Sequence, residues 1–166
     1  MLRISTGGGA LGAGAIMWFA AAQPADAIRP DAALTPGAVE DVDPAVMCQV
    51  GYSASIRHYD WKLRNRVFES YHLFNVDRRD FELDHLVPIS IGGAPNDPKN
   101  LWPQSRLTEP WTAEVKDALE DVLHREVCAG QVPLKEAQDA IRTDWIAAYK
   151  KYVGDEPERF VAHERF

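Results

Sequence analysis

Phe81-Glu82-Leu83-Asp84-His85-Leu86-Val87-Pro88-Ile89-Ser90-Ile91-Gly92-Gly93-Ala94-Pro95-Asn96-Asp97-Pro98-Lys99-Asn100-Leu101-Trp102-Pro103-Gln104 is the most informative stretch of the chain. A strand-like run ends on an acidic residue beside a histidine. Pro88 and Gly92-Gly93 then turn the chain, a polar loop follows, and Asn100 opens a second apolar run. The pattern predicts a β-hairpin. Adjacent side chains on a strand point to opposite faces, so Asp84 and His85 serve one site only where the strand ends or bends. Pro88 and the glycines are consistent with such an end. Asn100 stands where its amide can hold the backbone around His85 across the hairpin.

On the C-terminal side, Val115, Leu119, Val122, Leu123 and Val127 form an apolar stripe, predicting a helix over 111–129 that packs beneath the hairpin. Gly130 sits where a helix-ending glycine belongs. Pro133 opens a second predicted helix, with Leu134, Ala137, Ile141, Trp145, Ala148, Tyr149 and Tyr152 on one face and Gly154 after it. The short link makes these two helices antiparallel neighbours. On the N-terminal side, Trp61, Arg64, Val67, Phe68 and Tyr71 fall near a helical period behind Asp60, an expected N-cap. A weak alternation over 46–56 predicts a short strand. Trp102 and Trp111 neighbour apolar runs and read as core.

The first 27 residues carry one early positive charge, Arg3, a short apolar run, and an Ala25-Asp26-Ala27 end, the layout of a cleaved secretory signal. The run falls short of the roughly 20 apolar residues needed to span a bilayer. The expected organisation is a signal peptide over 1–27, a flexible or loosely docked leader over 28–44, one domain over 45–154 and a charged tail over 155–166. Export, to the periplasm or beyond the cell, makes a Cys48–Cys128 disulfide the expected state of the two cysteines, with two buried free thiols as the alternative. Two cysteines far apart do not make a structural zinc site, which needs four clustered ligands.

The net charge of −7 gives no general electrostatic pull on nucleic acid. Affinity for a phosphate backbone must then come from local positive charge plus a metal. The one locally basic part, which holds Arg57, Lys62, Arg64, Arg66, Arg78 and Arg79, directly precedes the hairpin. It reads either as a phosphate-tracking patch or as an ordinary solvated helix face. His124 reads as a helix residue rather than a ligand, His58 and His72 lack partner spacing for a metal, and His163 falls in the tail.

Glu82-Leu83-Asp84-His85-Leu86-Val87-Pro88, Gly92-Gly93 and Asn100-Leu101 together resemble the HNH endonuclease family. Asn100-Leu101-Trp102-Pro103-Gln104, Lys116-Asp117, Leu119-Glu120, Val127-Cys128-Ala129-Gly130 and Asp144-Trp145 extend the likeness to exported bacterial members. The resemblance covers roughly residues 48–154. It implies an α+β domain with a ββα-metal hairpin-plus-helix core, flanked by the N-terminal helix and the C-terminal helical hairpin. It further implies His85 as general base, Asp84 as metal ligand and Asn100 as the residue that fixes the loop. The cofactor would be one divalent metal ion, Mg²⁺ first, with Mn²⁺, Zn²⁺ or Ni²⁺ as alternatives. The implied reaction is hydrolysis of phosphodiester bonds in DNA, and in RNA as a further substrate, with low sequence specificity. Lys116, Arg64 and Arg66 are the expected nucleic-acid contacts.

The chain departs from the family at one position, an Asn or His that opens the helix and usually supplies a second metal ligand. Thr112 lies near that place, and Glu114 and Asp117 are the alternatives. The rival reading is an exported nucleic-acid- or envelope-binding domain that keeps the hairpin without catalysis.

Overall fold

A computed structural model describes residues 28–58 and 60–157. The proposed signal peptide, His163 and most of the charged tail lie outside the described residues. The architecture is α+β: among the described residues there are two strands and six helices, with the strands paired into one antiparallel hairpin.

Helices α1 (Pro44–Met47) and α2 (Tyr52–Ile56) occupy the region where the sequence predicted a strand. The alternation misleads because two short helical turns can carry it. Asp43 caps α1 by accepting from the Ala45 amide at 2.8 Å, Pro44 presets the first turn, and Gly51 at φ +85° separates the helices. Helix α3 (Trp61–Ser70) begins as expected at Asp60, whose side chain accepts from the Lys62 amide. It buries Leu63, Val67 and Phe68.

Strands β1 (Phe81–His85) and β2 (Leu101–Ser105) pair in the register His85↔Leu101, Asp84↔Trp102 and Glu82↔Gln104. The loop between them carries two 3-10 turns, at Ile89–Ile91 and Pro98–Asn100. Gly93 is required there, because a Cβ would lie 1.8 Å from the Val87 carbonyl oxygen.

Helix α4 (Ala113–Cys128) supplies Val115, Leu119, Leu123 and Val127 to the main core, within the expected span. The predicted second helix is two: α5 (Leu134–Thr143) and α6 (Trp145–Tyr152). Asp144 makes the break. Its backbone is extended, and its carboxylate accepts from the Ile146 and Ala147 amides, so it ends one helix and caps the next. The apolar periodicity runs through this break because Ile141, Trp145 and Tyr149 still reach one core, together with Met47, Val87 and Ile91.

Of the two alternatives for the leader, flexible or loosely docked, its contacts favour docking. Thr35 is buried and donates to the Leu101 carbonyl, Val39 bridges to Gly93, and the Gly37 amide donates to Lys99. The Ile28 carbonyl accepts from Trp145 Nε1 at 2.7 Å, and Arg29 pairs with Asp144. Pro, Ala and Gly residues give such a segment no period to read, yet its backbone groups find partners in other elements.

Cys48, at the end of α1, and Cys128, the last residue of α4, form a disulfide across 80 residues of sequence. Among the described residues no helix is long and apolar enough to cross a membrane.

Candidate functional site

The loop that follows β1 is held by one side chain. Asn100 is fully buried; its Oδ1 accepts from the Val87 amide at 2.9 Å. Its Nδ2 donates to the carbonyls of Val87 at 2.9 Å and Ala94 at 3.1 Å, and its own carbonyl accepts from the Leu86 amide. This amide ties down both ends of the turn.

His85 is the last residue of β1, and its Nε2 lies 2.9 Å from the Pro95 carbonyl oxygen. A carbonyl only accepts, so Nε2 carries the proton and Nδ1 keeps a free lone pair. Burial lowers the imidazole pKa below its ordinary value, with the nearby cations Arg57 and Lys116 acting in the same direction. The Pro95 bond and Asp84 oppose the shift without reversing it. The ring is therefore neutral near pH 7, as a base must be.

Asp84 faces α4 from the strand. Its Oδ2 accepts from Trp102 Nε1 at 3.1 Å and from Lys116 Nζ at 2.7 Å. Lys116 is fully buried, and it also donates to the His85 carbonyl at 2.7 Å and to Glu120. An ammonium has three donors, and all three are used. Lys116 therefore cannot be the exposed phosphate contact that the sequence suggested. Burial opposes its charge, but Asp84 and Glu120 outweigh that and hold its pKa above the usual lysine value. One lysine between two carboxylates leaves one of them in excess. Burial and the Asp84 charge accordingly raise the Glu120 pKa despite the ion pair.

Asp84 and His85 line one cavity of about 290 Å³ together with Glu82, Asp117, Glu120 and Arg57. The end of β1 thus brings two neighbours in sequence to one space. Glu82 pairs with Arg106, yet burial and the Asp84 charge push its carboxyl up to about 7. Asp117, more open to solvent, is also raised, by lost hydration against the wall and then by Asp84. Of the three residues considered for a second ligand, only Asp117 lines the cavity. Thr112 is the buried N-cap of α4, and Glu114 lies 3.6 Å from Arg106.

A second cavity, of about 530 Å³, adjoins the first. Arg57, Glu82, Leu83, His85 and Arg106 line both. Its wall adds Arg64, Arg78 and Arg79, against Asp60 as the further acid, and His58 also lines it. Arg64 is fixed there by donating to the Arg78 carbonyl at 3.0 Å, and it stacks 4.6 Å from the Phe68 ring centre. Arg66 is exposed on α3 and lines neither cavity, so that expected contact lies away from the site.

Sequence reasoning missed Glu82, Glu120 and Arg106. The signals were present: period two on a strand puts Glu82 on the Asp84 face, and i, i+3 or i+4 spacing puts Glu120 beside Asp117 and Lys116. Trp102 is core, as expected, with its indole nitrogen spent on Asp84; Trp111 is partly buried and meets the Trp145 and Tyr149 rings edge-on.

A different trio, Cys48, His124 and Cys128, has ligand atoms within 4.8 Å of one another. Both sulfurs are joined in the disulfide, so neither offers a thiolate, and the oxidised trio gives a metal only one imidazole.

The chain matches no family model, no curated protein and no solved structure.

Proposed function

We propose that this protein is an exported, metal-dependent endonuclease of the HNH type, with the hairpin and α4 as its ββα-metal core. Its substrate is nucleic acid, DNA first and RNA as a further substrate. The observation that carries the reading is a histidine whose Nε2 is spent on the Pro95 carbonyl while Nδ1 stays free, set in one cavity with four carboxylates and opening onto an arginine-lined groove.

The donor set fits a hard divalent cation. Glu82, Asp84, Asp117 and Glu120 offer oxygen only, the ligand type that Mg²⁺ and Mn²⁺ take. Burial first, and the Asp84 charge after it, raise the carboxyl pKa values of Glu82, Asp117 and Glu120, and a cation beside them would favour their charged forms. Gln104, paired in register with Glu82, is fully buried with both side-chain polar atoms unpartnered, so polar capacity remains on this face. Asp84 through Oδ1 and Asp117 are the first candidates to hold the ion, with Glu82 and Glu120 beside them.

When bound, a divalent ion supplies charge neutralisation at the phosphate and at the leaving oxygen. His85 Nδ1 takes a proton from the attacking water, and the Pro95 carbonyl stabilises the imidazolium that results, because Nε2–H already points at it. Arg57 and Arg106, shared by both cavities, neutralise phosphate on the groove side. Local arginines thereby supply the attraction that the net charge denies. The Cys48–Cys128 disulfide agrees with an oxidising compartment.

The test is plasmid cleavage by the oxidised protein in EDTA, Mg²⁺, Mn²⁺ and Zn²⁺, alongside His85→Ala. Metal-dependent nicking that falls by about 10²–10⁴-fold in the variant is expected. Unchanged cleavage by folded His85→Ala removes the histidine from the mechanism. One observation favours the rival, an exported nucleic-acid- or envelope-binding domain without catalysis: Lys116 already neutralises Asp84. Nucleic-acid binding without cleavage in any ion selects that reading.

A further inference from the structure

Lys116 has no part in the proton transfer or the phosphate contacts of the proposed hydrolysis. All three of its N–H bonds end on oxygens of Asp84, His85 and Glu120, and it is sealed from solvent, so no phosphate reaches it. Asp84 Oδ2 accepts from Trp102 as well, which leaves Oδ1 as the oxygen open to another cation. Two cations on one carboxylate repel each other across a few ångströms of weakly screened interior. A lysine in this place works against any ion that binds beside it.

We propose that Lys116 is a resident cation that competes with a divalent metal ion for Asp84 and so sets the metal affinity of the site. The inference rests on the metal-dependent reading above. The lysine holds Asp84 of the strand against α4, ties the Glu120 side chain one turn along the same helix, and fixes the His85 carbonyl at the strand end. An ion that binds must share Asp84 with the ammonium. The lysine therefore keeps the empty site ordered while it weakens the filled one. A purely structural ion pair would tie strand to helix in the same way without opposing a metal.

The experiment titrates Mn²⁺ into the oxidised chain and into Lys116→Met, with unbound Mn²⁺ read by electron paramagnetic resonance. Methionine keeps most of the buried stem and removes the charge. Affinity is expected to tighten by about tenfold or more in the variant. If the original chain binds Mn²⁺ and the variant binds it no more tightly, the competition is refuted while the metal reading stands. Binding by the variant alone supports the competition in its strongest form. Binding by neither overturns both.

Removing one partner of a buried ion pair is costly, so Lys116→Met can fail to fold. A second measurement then decides on the unaltered chain. The ¹⁵N signal of the Lys116 ammonium, followed during a Mg²⁺ titration, is expected to shift in step with the occupancy measured by calorimetry. Saturation with no movement of that signal refutes the proposal. No calorimetric binding at all overturns the metal reading with it.

Discussion

Glu82 sits across the hairpin from Gln104, and burial beside Asp84 pushes its carboxyl from 4.5 up to about 7. The folded protein thus binds a proton that the unfolded chain releases between these two values. The associated stability is fully present below pH 4.5 and is lost as pH rises through about 7. His85 acts the other way in a lower window: its folded pKa is below 6.5, so its neutral burial costs stability in acid, and that cost disappears as pH rises to 6.5. Urea denaturation of the metal-free protein is expected to show a net loss of about 1–3 kcal/mol between pH 5 and 8. A flat or rising profile contradicts the placement of Glu82 in a cavity where burial and neighbouring carboxylates outweigh its Arg106 partner. Asp84, His85 and Asn100 stand out in the sequence because an acid-histidine pair before a turn is rare chemistry in a small space. The role of Lys116 is hidden there because only the third dimension shows three acceptors converging on its ammonium.

The turn after β1 is built at close quarters, and Gly93 is its tightest point. A Cβ there would meet the Val87 carbonyl at 1.8 Å and Asn100 Nδ2 at 2.9 Å, the same groups that carry the loop-holding hydrogen bonds. Gly93→Ala must displace that backbone. It is expected to cost about 3 kcal/mol or more, read as a lower denaturation midpoint, and to loosen the contact between His85 and Pro95. Wild-type stability in that variant would show that the loop yields where it looks rigid. The hairpin, α3 and α4 were legible because period and punctuation agreed. Residues 46–56 were not, since so weak an alternation fits a strand and a pair of helical turns alike. The α5–α6 break escaped because apolar spacing continues across Asp144 while its carboxylate captures two amides. A polar residue's local competition for backbone bonds is invisible to a hydrophobic pattern.

The whole molecule is closed at two seams. One is the Cys48–Cys128 disulfide, which ties the N-terminal helices to the far end of the helix that carries Lys116, Asp117 and Glu120. With the cysteines 80 positions apart in sequence, reduction is expected to lower stability by about 4 kcal/mol in the chain-entropy picture, measured by urea denaturation with and without a thiol reductant. An unchanged midpoint would mean that packing alone holds the ends together. The other seam is the docked leader, illegible in sequence because its bonds are made largely by backbone groups and by partners distant in sequence, from Leu101 at 66 positions to Trp145 at 117.

That second seam bears on the order in which the protein comes into being. Ile28 and Arg29 leave the ribosome 117 and 115 residues before Trp145 and Asp144, the groups that receive them. His85 likewise emerges well ahead of the α4 lysine that grips its carbonyl. A nascent chain therefore lacks the assembled cavity until Glu120 is made, and the closing contacts until Asp144 and Trp145 are made. In chain order, the residues that line the cavity are complete before the groups that receive the leader exist.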